Sequence, residues 1–316
     1  MYPDIYQEIF LQLAIDATTT LNFISTCKLF SHIGQQCLEQ KKRQLSRFVI
    51  EPSKSGTQRF EKYFVLPNGW KHGLYESWYN ENRLYDRVYY SNGGKQGLYQ
   101  LFHQDGTKWQ AFNYSQDKRH GLQQIWYENG QLCRQHMSID GNTHGIDESW
   151  HDNGRKWDHY NYIHGKAHGV FQEWSRKGVT TKYCEYISGH IEGTYFTWWD
   201  NGRLCQRMPC LNSYKHGYIE SWYENGQRRK AVHYVNGLRE GIYLRWYENY
   251  SDDPNLPIEG PLEIKRVYCQ GIKHGCEQWW RENGQLWREF NYVDGQEESK
   301  KKWNKAGKLT KNKSCL

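Results

Sequence analysis

Glycines recur every 24 residues along most of this chain, at Gly73, Gly97, Gly121, Gly145, Gly169, Gly193, Gly217 and Gly241. A fixed period of that length is the mark of a repeat array, in which each unit buries its side chains only against its neighbours. Five residues after each glycine stands a large aromatic: Trp78, Phe102, Trp126, Trp150, Trp174, Trp198, Trp222 and Trp246. After Gly241 the segment YSDDPNLPIEGPL breaks the period, and the pattern resumes at Gly275 and Trp280. A protruding loop is expected at that insertion.

Each unit reads as a β-hairpin. Its first strand carries an apolar residue directly after the glycine (Leu74, Leu122, Ile146, Val170, Ile242) and the tryptophan four further on, which places both on one face. An Asn-Gly pair follows at Asn129-Gly130, Asn153-Gly154, Asn201-Gly202, Asn225-Gly226 and Asn283-Gly284. That dipeptide suits the positive φ angles of a two-residue hairpin loop. The second strand closes on Tyr90, Tyr114, Tyr162, Tyr186, Tyr234, Tyr268 or Tyr292, and a further glycine such as Gly93, Gly141 or Gly237 turns the chain into the next unit. The last unit is degraded, with Glu298 at the anchor position while Trp303 and Gly307 keep their offsets.

Composition supports an all-β reading. Only 37% of the 316 residues are hydrophobic, whereas 15 Trp, 25 Tyr and 29 Gly favour strands, tight turns and packed rings. With a mean hydropathy of -1.00, no large aliphatic core is available. In a single-layer sheet the Trp and Tyr ladders are then expected to supply most of the packing.

The formal charge of +7 is concentrated at one end. Residues 299–316 hold seven lysines and no acid, and without those seven the 42 basic residues fall to 35, against 35 acids. A solvated, flexible terminus is the simple reading of that run, and contact of Lys300, Lys301, Lys302, Lys305 and Lys308 with an anionic surface is the functional one. A neutral array makes nucleic acid an unlikely partner. Nine cysteines with no CxxC pair fit a reducing compartment, so a cytoplasmic location is expected. Cys205, Cys210, Cys269 and Cys276 are expected as ordinary buried thiols. The start has no signal-peptide pattern, and no run of about 18 apolar residues occurs.

The repeated chemistry argues for structure over catalysis. His72, His120, His144, His168, His216 and His274 all precede an anchor glycine. Equivalent residues two strands apart lie roughly 10 Å from one another, too far to share a zinc ion. They are expected to cap backbone groups at turns. A Glu/Gln row three residues after the anchor (Glu76, Gln100, Gln124, Glu148, Gln172, Glu220, Gln278) lacks the paired carboxylates of acid-base catalysis and reads as a hydrogen-bonding stripe. No catalytic, cofactor or metal residues are assigned.

The unit HGxxxxWYENGQLxxxxxYxxGxx resembles the MORN repeat in its Trp-Tyr-x-Asn-Gly variant, over roughly residues 63–309. The resemblance implies an elongated, twisted, single-layer antiparallel sheet of successive hairpins, with Trp78, Trp126, Trp150, Trp174, Trp198, Trp222, Trp246 and Trp280 as its structural ladder. Departures are Phe102 for Trp, Asn82 and Tyr250 at the turn glycine, and Ser138 and Cys210 for Tyr.

Residues 1–45 follow a helical pattern, with Ile5, Ile9 and Leu13 four apart and Phe10 widening the stripe. Their YPDIYQEIFLQL and STCKLFSHI segments resemble an F-box. That resemblance implies that Pro3, Ile5, Ile9, Phe10, Leu13 and Phe30 dock a Skp-type adaptor of a cullin ubiquitin ligase. The combination resembles proteins of large DNA viruses of amoebae, of the marseillevirus type. Residues 46–62 are expected as a linker or partial first hairpin, and 310–316 as the end of a basic tail. The expected function is a non-enzymatic protein-protein interaction scaffold. The alternatives are a membrane-associating MORN protein or a structural virion protein, and a homodimer through an exposed sheet edge is a further expectation.

Overall fold

A computed structural model describes residues 47–52, 60–80, 82–249 and 259–314, with the side chains of 47–52 left aside. Among the described residues there are strands and turns but no helix. The proposed helical module, with Pro3, Ile5, Ile9, Phe10, Leu13 and Phe30, lies outside the described residues, as does most of the insertion. The chain forms two compact units, one of Met1–Leu132 with Met137–Asn142 and one of Cys133–His136 with Thr143–Leu316.

Within each unit the strands form an antiparallel meander, each pairing with the strand before and after it. In the first unit Arg47–Pro52 pairs with Phe60–Val65, and the pairing continues strand by strand from there through Lys118–Trp126. In the second unit the series runs from Lys156–Ile163 through Gly169–Trp174 and onward to Leu309–Ser314.

Two kinds of turn alternate, and their assignment corrects the expectation from sequence. The Asn-Gly pairs form three-residue loops: Gly130 N–H donates to Tyr127 O at 2.9 Å, and Tyr127 N–H donates to Gln131 O at 2.9 Å. Only the glycine has positive φ, 81° at Gly130. The asparagine Oδ1 accepts from the backbone two residues ahead, as Asn129 does from Gln131 N–H at 3.0 Å. The same loop forms at Ser175–Val179, where Lys177 replaces the asparagine, and the ladder register shifts next to the tryptophan in both cases.

The two-residue turns lie instead between units. Both central residues have positive φ there, as at Asn92 (50°) and Gly93 (84°) or Asp294 (46°) and Gly295 (84°). Where the second residue is not glycine, its side chain bonds across: Asp117 Oδ1 accepts from Lys95 N–H at 2.8 Å and Ser213 Oγ from Ile191 N–H at 2.9 Å.

The buried face is the one opposite the tryptophans. It is built from the residues two after the anchor glycine, paired across the hairpin with those fifteen after it. The pairs include Tyr75 with Val88, Tyr99 with Phe112, Phe171 with Cys184 and Ile219 with Val232. Val88, Ile219 and Val232 are each 1% exposed and Cys184 is fully buried. The closing tyrosines lean onto this face edge to ring, Tyr90 on Tyr75 at 5.8 Å and Tyr114 on Tyr99 at 6.1 Å. A cation two residues before the anchor covers the rings: Lys71 Nζ lies 4.1 Å from Tyr75, Lys95 4.5 Å from Tyr99 and Lys273 4.5 Å from Tyr292. No apolar period marks the buried positions, because Gln123, Asp147 and Glu277 share them.

Candidate functional site

Seven of the eight ladder tryptophans are half-buried on the opposite, more open face, and only Trp246 is buried. They are strand-end lids, whereas Tyr75, Tyr234 and Tyr268 of the tyrosine ladders are buried. A cation of the preceding unit sits over several of these rings, with Lys62 4.3 Å from Trp78, Lys156 5.9 Å from Trp174 and Arg228 5.8 Å from Trp246. The residue after the tryptophan joins one unit to the next. Tyr79, Tyr223 and Tyr247 hydroxyls donate to the backbone carbonyls of Phe102, Trp246 and Trp280 at 3.2, 2.8 and 3.0 Å.

The His-Gly step does not turn the chain: the strand Lys118–Trp126 runs through His120-Gly121. The anchor glycine takes positive φ as a bulge in the ladder, 97° at Gly121 inside its strand and 98° at Gly217, where a strand begins. The histidine caps the two-residue turn twenty residues later. Nδ1 of His72, His144 and His274 accepts from Asn92, His164 and Asp294 N–H, each at 3.4 Å. Units without histidine keep an acceptor at this place: Gln96, Glu192 and Glu240 accept from Gln116, Asn212 and Gln270 N–H at 3.0, 2.8 and 2.7 Å. A capping role, not metal binding, explains the shared position.

The Glu/Gln row is occupied by cross-strand partners. Gln100 accepts from Arg87 at 2.7 Å, Glu148 pairs with Lys156 at 2.7 Å, and Glu220 pairs with Arg228 at 3.0 Å. The hydrogen bond from Lys156 holds the Glu148 carboxyl below its ordinary range, the opposite of what a general acid needs. Among the described residues no group of three or more His, Cys, Asp or Glu side chains has the spacing to hold a metal ion. A shallow pocket of about 510 Å³ lies beside Tyr247, Arg281, Trp287 and Lys305.

Two surfaces stand open. The first is the row directly after the anchor glycine, which shares the tryptophan face. In the first unit it presents Leu74, Leu98 and Leu122, and in the second Ile146, Val170, Tyr218 and Ile242, all exposed. Cys276 occupies the same position and is exposed, as is Cys269 at a strand end, so neither is the buried thiol expected.

The second is the terminal hairpin. Lysines expected on a flexible tail lie on two paired strands, Gln296–Trp303 and Leu309–Ser314. The register brings Lys300 opposite Lys313 and Lys302 opposite Lys311, with Arg288 opposite Lys302 on the inner side. Lys301 points to the other face and pairs with Glu289 at 3.0 Å, while Lys305 and Lys308 sit at the loop. Sequence reasoning missed the ring-covering cations before the anchor, although Lys-His-Gly, Lys-Gln-Gly and Arg-Glu-Gly recur visibly.

A meander of hairpins linked through side chains of equal spacing defines the chain as a β-hairpin repeat protein. Residues 119–138, 215–236 and 273–294 match the family described as MORN repeat variant. Each matched segment opens on the cation two residues before an anchor glycine, Arg119, Lys215 or Lys273. Over those three segments the chain is similar to MORN repeats of the variant type. No curated protein matches it. Among solved structures it is similar to the Photorhabdus luminescens Tc holotoxin pore at 10% identity, over 84% of this chain, with a TM-score of 0.13. The chain spans 20% of the length of that protein's chain, and so low a TM-score carries no argument.

Proposed function

We propose that the protein is a non-enzymatic interaction scaffold whose hairpin repeats present an open apolar row to a protein partner. One observation carries this reading: Leu74, Leu98 and Leu122 in one unit, and Ile146, Val170, Tyr218 and Ile242 in the other, are exposed at one repeat position. Members of successive hairpins lie roughly 10 Å apart, with the half-buried Thr194 interrupting the row between Val170 and Tyr218, and single exposed apolar residues become a recognition feature when they line up. A photo-crosslinking side chain at Leu98 or Ile146 of the full chain is expected to capture discrete protein partners. Equal recovery of those partners after Leu98→Glu and Ile146→Glu would remove the support.

Within that reading, the F-box-like segment makes the scaffold a substrate receptor for ubiquitin ligation. What supports it is the motif at Pro3, Ile5, Ile9, Phe10, Leu13 and Phe30. A purified Skp-type adaptor should bind the full chain and lose binding to Ile9→Asp and Leu13→Asp. Membrane association is the competing reading, and unchanged liposome co-sedimentation after substitution of Lys300, Lys301, Lys302, Lys305 and Lys308 would move the credit to the repeats.

A further inference from the structure

The terminal hairpin concentrates unrelieved charge on one face. Lys300 and Lys313 are direct cross-strand neighbours, as are Lys302 and Lys311, and Arg288 extends the second row. Like charges directly opposite one another destabilise a sheet. Lys302, Lys311 and Lys313 are exposed and pair with no acid among the described residues, where Lys300 has Glu297, 3.9 Å away. The Arg288 Nε is buried without a hydrogen-bond partner. By contrast, the one lysine of this strand on the other face, Lys301, is neutralised by Glu289.

We propose that this face binds an extended acidic segment of a partner protein, with carboxylates on alternate residues. The spacing is the argument. Lys300 and Lys302 are two residues apart on one strand, roughly 7 Å, and a peptide in β conformation repeats its same-side carboxylates at that same interval. The adjacent strand lies about 4.8 Å away, so each carboxylate reaches two ammonium groups at once. A single-stranded nucleic acid would need exposed rings on which to stack its bases. The aromatic at the centre of this face, Phe290, is only 8% exposed and lies under Lys300. The proposal rests on the scaffold reading and names one class of partner for it.

The test uses the full chain and a short synthetic peptide alternating Glu and Thr. Binding should be measurable at low salt and weaken as salt rises. Lys302→Gln combined with Lys311→Gln should weaken it by about tenfold or more, while Lys301→Gln on the other face changes it by less than about twofold. The thermal midpoint of the double variant should hold or rise, because an opposed pair of like charges has been removed, so lost binding cannot be blamed on unfolding. Equal binding of a peptide with its Glu residues grouped in one block overturns the proposal. So does tighter binding of a DNA strand or of anionic vesicles. Crosslinking at Leu98 reports on the apolar row independently of these lysines, so failure of the acidic-segment proposal is told apart from failure of the scaffold reading on which it rests.

Discussion

The Tyr223 hydroxyl donates a 2.8 Å hydrogen bond to the backbone carbonyl of Trp246, 23 residues along the chain. One strand-end side chain thereby satisfies a carbonyl of the following hairpin. Tyr223→Phe removes the donor and leaves that carbonyl beside a buried tryptophan. A loss of about 1 kcal/mol is expected in equilibrium unfolding, and a loss too small to measure would show that water replaces the hydroxyl.

The histidine cap is interchangeable with other acceptors. His274→Gln should leave the thermal midpoint within error, since Gln96 does the same work in its unit. His274→Ala should cost about 0.5 kcal/mol, the low end for a hydrogen bond because the contact is long. Equal midpoints for both variants would deny the cap any role.

Glycines with positive φ differ in what surrounds them. Gly241 has positive φ (72°) but open space around it, whereas a Cβ at Gly295 (84°) would meet Ile272 Cγ2 at 2.9 Å. Gly241→Ala should cost about 1–2 kcal/mol of backbone strain alone. Gly295→Ala should cost more, and adding Ile272→Ala should return it to the Gly241→Ala level.

Glu277 is 2% exposed, and its carboxylate meets Arg266 at 2.9 Å, Lys273 at 2.7 Å and the Trp279 indole N–H at 2.6 Å. Burial pushes the carboxyl up, but Lys273 and Arg266 outweigh it and hold it below its ordinary value. A depressed folded value gives stability that is complete above the unfolded value of about 4.3 and is lost as pH falls through the folded one. Glu277→Gln should cost about 3 kcal/mol near neutral pH and flatten the acid limb of the stability profile. An unchanged acid limb would assign it to other carboxylates.

Asp86 has the opposite sign. Burial raises its carboxyl, although the Ser77 and Tyr99 hydroxyls both donate to it. Its contribution is present below the unfolded value and is lost as pH rises through the folded one. Asp86→Asn should therefore gain on the natural protein as pH is raised from about 4 to about 7. A difference that stays constant across that range would sink the assignment.

Repetition exposes phase before structure is known. The 24-residue return of Gly and Trp, with Asn-Gly nine residues after the anchor, places hairpins and turns without coordinates, because a unit that must pack on copies of itself has to repeat its backbone requirements. The capping role of His72 was legible in the same spacing. Turn type does not follow, because Asn-Gly suits loops of either length, and the three-residue loop asks for positive φ at its glycine alone, as Lys177-Gly178 shows without an asparagine.

Which face is buried was decided only in three dimensions. The open face carries the regular apolar row of Leu74, Leu98 and Leu122, whereas the buried one mixes Ile219 with Gln123, Asp147 and Glu277. Hydrophobic period therefore pointed to the wrong side. Burial at those positions depends on cross-strand partners such as Arg266 on Glu277 and Lys71 over Tyr75, and pairing of that kind leaves no period in any one strand. The lysines were equally plain as a composition, but only the register set Lys300 against Lys313 and Lys302 against Lys311. Strand pairing alone converts a run of charge into a face.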